Sequence, residues 1–62
     1  MSNEWHDCWA SKILTNDLGR IIGKVERHHM DGVYMAYVEG VFVGSFLNEA
    51  SAMRFVEKGG KP

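Results

Sequence analysis

Apolar and polar residues alternate with a period of two over most of the chain, as half-buried strands require, and turn-forming residues interrupt the alternation at intervals. Asn16-Asp17-Leu18-Gly19 separates two such runs. Asp31-Gly32 is a two-residue turn tolerant of positive φ, and Glu39-Gly40 supplies another tight turn. These breaks predict four strands, at about residues 5–14, 20–29, 33–38 and 41–47. After Leu47 the apolar period lengthens to 3.6 residues, with Ala52, Met53 and Val56 recurring on one side. Asn48 is a suitable N-cap, Glu49 sits where the helix dipole favours an anion, and Gly59-Gly60 ends the helix, which is predicted over about 49–58. A helix this short is not stable alone in water, so its apolar stripe must lie on the sheet. The expected fold is α+β: a single domain over 1–62, a four-stranded antiparallel meander followed by one C-terminal helix.

Register decides which face each side chain occupies, because a one-residue slip inverts the strand. Pairing Asn16 with Gly19, Met30 with Val33 and Val38 with Val41 makes the three hairpins agree. The first face then carries Ala10, Leu14, Ile21, Val25, Tyr34, Ala36, Val38, Val41 and Val43, an apolar set suited to cover by the helix. The second carries Trp5, Trp9, Ile13, Ile22, Met35, Tyr37 and Phe42, among Asp7, Lys24, Glu26, His28 and Glu39. A solvated sheet face should be polar, and an aromatic patch on water usually marks an interface. The candidate partner-binding residues are therefore Trp5, Trp9, Met35, Tyr37 and Phe42, with Glu26 and Glu39 beside them. The competing arrangement folds the N-terminal strand across the sheet, so that Trp5 and Trp9 close a second small core.

Size sharpens this picture. A chain of 62 residues buries only about 60% of the surface its unfolded form exposes, and such a core rarely supplies more than roughly 3–5 kcal/mol without a staple. Cys8 is the only cysteine, so no internal disulfide forms, and the expectation is a reducing, cytoplasmic setting. No run approaches the roughly 20 apolar residues of a membrane span, and the N-terminus lacks a basic-then-apolar leader pattern. Seven Lys plus Arg against eight Asp plus Glu leave a net charge of −1, without the basic excess typical of nucleic-acid binders.

Little in the chain points to catalysis. The register above puts His6, Cys8 and His29 on one face near one end of the first hairpin, with His6 opposite His29, and these are the candidate zinc ligands; a closed structural site needs a fourth, and no CxxC or HxxxH pair supplies it. Cys8 has His6 and Asp7 close by, but neighbours on a strand point to opposite faces, so Asp7 is badly placed to orient a catalytic base. Glu26 and Glu39 share a face with no obvious cleft around them. The glycines show no phosphate-binding spacing. No catalytic residue and no cofactor is expected, and metal is expected to be absent.

The stretch Gly32–Glu57 carries an aromatic-x-Ala-x-Val strand in Tyr34, Ala36 and Val38. There follow Val41-Phe42-Val43-Gly44-Ser45-Phe46 and a helix capped by Asn48 with Ala52 facing inward. This pattern resembles the three-stranded-sheet-plus-helix DNA-binding domains of plant ethylene-response factors and the arm-type domains of phage integrases. The resemblance covers fewer than half the residues and implies a sheet face that enters the major groove with Arg and aromatic side chains. By position that face offers Lys24, Glu26, His28, Met35, Tyr37, Glu39 and Phe42, of which Phe42 and Lys24 suit the role while each Glu repels phosphate. The format of a short chain with one sheet, one helix and an aromatic face also resembles small bacteriophage accessory proteins, including anti-CRISPR inhibitors of host defence. The leading expectation is a non-enzymatic protein-binding module, working in the host cytoplasm if phage-encoded. Its alternatives are a nucleic-acid-binding module and a zinc-stapled homodimer.

Overall fold

The computed structural model describes residues 3–28 and 30–61. Among these, five strands and one helix form: β1 (Glu4–Cys8), β2 (Ser11–Thr15), β3 (Ile21–His28), β4 (Val33–Val38), β5 (Val41–Phe46) and α1 (Glu49–Glu57). The strands make one antiparallel sheet in chain order, β1-β2-β3-β4-β5. The α+β meander with a C-terminal helix is as the pattern predicts, but the strand count is five and not four.

The difference lies in the first run. Residues 5–14 do not form one long strand; the chain reverses at Trp9-Ala10, and Cys8 pairs with Ser11. Ala10 has φ 58, the left-handed region in which Cβ crowds the backbone. Neither residue of this turn is Gly, Asn, Asp or Pro, so ordinary turn chemistry gives no sign of it.

The last hairpin has the expected register, Val38 opposite Val41. The third and fourth strands pair His28 with Val33, where Met30 was expected opposite Val33. The second and third pair Leu14 with Gly23 in place of Ile21. Both shifts are by two residues and preserve the faces. Two bulges do not. Between Leu14 and Thr15 the partner jumps from Gly23 to Ile21, so Ile22 turns to the core and Ile21 to the opposite side, the reverse of the expected placement. A second irregularity, between Ala36 and Tyr37, leaves Val43 as the extra residue of β5.

Helix α1 lies over β3, β4 and β5. Asn48 caps it, its Oδ1 accepting the Ser51 N–H at 2.8 Å, and the Gly60 N–H closes the far end on the Phe55 carbonyl at 3.0 Å. Leu14, Val25, Ala36, Ala52 and Val56 form the buried core, with Trp5, Tyr34, Val38, Val43 and Phe46 packed around it. Phe46 meets Phe55 with ring centroids 5.2 Å apart. Close approach of helix and sheet requires Gly23: a Cβ there would stand 2.2 Å from Val56 Cγ1. The outer β1–β2 hairpin reaches the helix through side chains, Trp5 Nε1 donating to Glu57 Oε2 at 2.7 Å and Lys12 Nζ lying 3.8 Å from Glu49.

Four further placements correct the sequence reading. Trp5 and Asp7 lie on the helix side, because the added turn pairs them with Leu14 and Lys12. Ala10 is exposed in its turn, and Val41, at the edge strand, is 63% exposed and not part of the core. No helix among the described residues is long and apolar enough to cross a membrane.

Candidate interaction face

The sheet surface opposite α1 is ordered by two transverse rows of side chains. His6, Ile13, Lys24, Tyr37 and Phe42 are successive cross-strand partners, one from each strand. Cys8, Ser11, Glu26, Met35 and Ser45 form the second row. Cross-strand neighbours on one face have Cβ atoms about 5 Å apart, so each row sets its side chains next to one another across the sheet.

The centre of the face is fixed by weak contacts acting together. Tyr37 and Phe42 meet edge to face, with centroids 5.7 Å apart at 65°. Lys24 Nζ sits 5.0 Å from the centre of the Tyr37 ring and 3.7 Å from a Glu26 oxygen. Tyr37 Oη donates to Met35 Sδ at 3.6 Å. At such exposure a cation–π contact is worth about 0.5–1 kcal/mol and an ion pair about 0–1 kcal/mol, so their effect is to hold Lys24 and Tyr37 in one arrangement. Beside them Ile13, Ile21, Lys24, Tyr37 and Glu39 line a shallow concavity of about 310 Å³. Arg20 bridges to Glu39 at its margin, 2.9 Å.

Of the residues singled out from the sequence, Met35, Tyr37, Phe42 and Glu26 share this face, and Glu39 flanks it in the β4–β5 turn. The two tryptophans do not. Trp5 is on the helix side, and Trp9 occupies the tip of the β1–β2 turn, 97% exposed. They neither join the patch nor fold together over it. Sequence reasoning missed Ile21, which only the bulge at Ile22 brings to this side, and His6 and Cys8, whose positions depend on the unforeseen turn.

The zinc expectation required His6 opposite His29. The first strand pairs with β2, which puts Ile13 opposite His6; His29 lies outside the described residues. His6 Nε2 lies 2.9 Å from Thr15 Oγ1 and 3.8 Å from a Glu4 oxygen. Among the described residues no three His, Cys, Asp or Glu side chains are grouped to hold a metal ion.

Charges on this surface are arranged in opposite-sign neighbours, Lys24 with Glu26 and Arg20 with Glu39. The cations Arg54, Lys58 and Lys61 cluster instead beside Phe55 on the helix side. On that side too, the Lys12 ammonium donates to Asp7 Oδ1 at 2.7 Å. This hydrogen bond, then the charge of Lys12, holds the Asp7 carboxyl below its ordinary range. Lys12 is raised in turn by the same bond and by the charge of Glu49.

No protein-family model, no curated protein and no solved structure matches this chain.

Proposed function

We propose that the chain is a non-enzymatic protein-binding module that docks a partner on the sheet face opposite its helix. The supporting observation is the pair of side-chain rows that carries Ile13, Met35, Tyr37 and Phe42 on a surface that no element among the described residues covers. Burial of aromatic and Met side chains against a partner, with Lys24, Glu26 and Glu39 aligning the approach, is the division of labour typical of protein interfaces. The phage-protein format it resembles fits occlusion of a host protein's surface. The groove-binding alternative is disfavoured by electrostatics. Lys24 and Arg20 each already neighbour a carboxylate, so phosphate would have to displace Glu26 or Glu39, and counterion release has little to act on.

The test is capture by the immobilised chain, comparing wild type with Tyr37→Ser and Met35→Ser, and with Arg54→Glu on the helix side. A partner retained by wild type and R54E should bind Y37S about 30-fold more weakly, the equivalent of about 2 kcal/mol, with little dependence on salt. Retention that survives both face substitutions, or that falls steeply with salt as nucleic-acid binding does, would refute the reading.

A further inference from the structure

We infer that the occupant of this face is a second copy of the same chain, giving a two-fold symmetric dimer in which two sheets stack through the Tyr37–Phe42 side; the inference rests on the interaction-face reading above.

The first ground is the size of the core. Leu14 and Val25 are its largest fully buried side chains, and two of the five buried residues are alanines. A domain of 62 residues with so little interior is marginally stable and gains from a staple. Cys8 is alone, so no internal disulfide supplies one, and a subunit packed on the open sheet face does so by burying apolar area. Ile13, Ile21, Met35, Tyr37 and Phe42 are the apolar layer such a subunit would cover, and Ile21 and Phe42 are 55% and 54% exposed. A sheet with an apolar face is stable when another layer packs on it at about 10 Å.

Area is the second ground. Five strands about 4.8 Å apart, each of five or more residues rising about 3.3 Å, make a face roughly 20 Å on a side. That is about 400 Å² in projection, which side-chain relief enlarges to the low end of the areas that specific interfaces bury, so the dimer expected is a weak one.

The third ground is charge. A surface selected for an acidic or basic partner carries one sign, whereas this one alternates Lys24 with Glu26 and Arg20 with Glu39. Under a two-fold axis, which presents the same patch from both sides, alternating signs let a face meet its own copy without net repulsion. Lys24 of one copy can then approach Glu26 of the other.

The experiment is sedimentation equilibrium of the full chain from about 1 μM to about 1 mM, with thermal melting at each concentration. Expected are twice the chain mass and a Tm that climbs with concentration. Tyr37→Ser should raise the dimer dissociation constant about 30-fold or more, and Arg54→Glu should leave it unchanged. Lys24→Glu and Glu26→Lys should each weaken the dimer, while an equimolar mixture of the two restores association as a heterodimer, a recovery that the Lys24–Glu26 pair within one chain cannot produce. A monomer at about 1 mM, or a dimer indifferent to Y37S, overturns the inference. If a monomeric wild type captures a foreign protein and Y37S does not, the dimer is wrong and the interaction face stands. If capture is also indifferent to Y37S, both are wrong.

Discussion

Replacing Gly23 with Ala is the sharpest test of how this fold is held together. The added Cβ would lie 2.2 Å from Val56 Cγ1, where carbon atoms in contact prefer about 3.5–4.0 Å. Its next neighbours, the Tyr37 carbonyl oxygen at 3.5 Å and Leu14 Cβ at 3.6 Å, are ordinary contacts, so the conflict is with the helix alone. Val56 is buried against Leu14 and Val25 and has little room to rotate, which leaves withdrawal of α1 by more than an ångström. Overpacking of this kind costs about 1–3 kcal/mol, and the better strand propensity of Ala returns roughly 0.5–1 kcal/mol. The difference is a net loss of about 0–2.5 kcal/mol, centred near 1 kcal/mol, and each kcal/mol lowers Tm by roughly 4–8 °C in a domain of this size. The assay is thermal melting by circular dichroism at fixed protein concentration for wild type, G23A, V56A and G23A/V56A. Removing the Val56 methyls relieves the clash, so the double variant should be more stable than the sum of the single losses by about 1 kcal/mol. Strictly additive losses, or a G23A more stable than wild type, would show that the helix does not rest on Gly23.

Three other outcomes follow from named contacts. Ala10→Gly relieves left-handed strain of about 1–2 kcal/mol against an entropic cost of about 0.5–1 kcal/mol, so Tm should rise by a few degrees; a fall would argue against the Trp9-Ala10 turn. Trp5→Phe keeps the ring against the core but removes the bond to Glu57, and chemical denaturation should register a loss of about 0.5–1.5 kcal/mol. Because the Asp7 carboxyl is lowered on folding, its pairing contributes above the unfolded-chain value and fades as pH falls through the folded one, while that of Lys12, raised on folding, fades only at strongly alkaline pH. A carbon-13 NMR titration should therefore show Asp7 returning to the ordinary carboxylate range in Lys12→Met, and no movement would refute the pairing.

Much of this molecule follows from local chemistry. Gly32 and Gly40 mark reversals because glycine takes positive φ without a Cβ penalty. Glu39, at φ 50, carries the same left-handed strain as Ala10, and Val33 pairs with His28, so Asp31-Gly32 ends a longer connection than the two-residue turn expected. Asn48 and Gly59-Gly60 bound the helix for equally local reasons, one satisfying a free N–H and the other taking the left-handed turn at its end. Given one fixed turn, strand parity carries the rest, and it placed Met35, Tyr37 and Phe42 on one side with Ala36 and Val38 on the other.

What the chain could not declare locally is wherever packing overrides parity or preference. The Trp9-Ala10 turn has no turn-forming residue; the strand partners on either side and the burial of Trp5 against Leu14 favour a strained alanine there. That single reversal moved both tryptophans off the proposed docking surface. The bulge at Ile22 exchanges two adjacent isoleucines between faces, a choice that alternation in sequence cannot express because both are equally apolar. Gly23, which reads in sequence as a weak point within a strand, is a position where any Cβ would run into Val56 of α1. Local rules thus determined the elements and their turns, while the fit of a short helix onto a narrow sheet decided which apolar residues became interior and which stayed outside, since that balance is set by volume shared between distant segments.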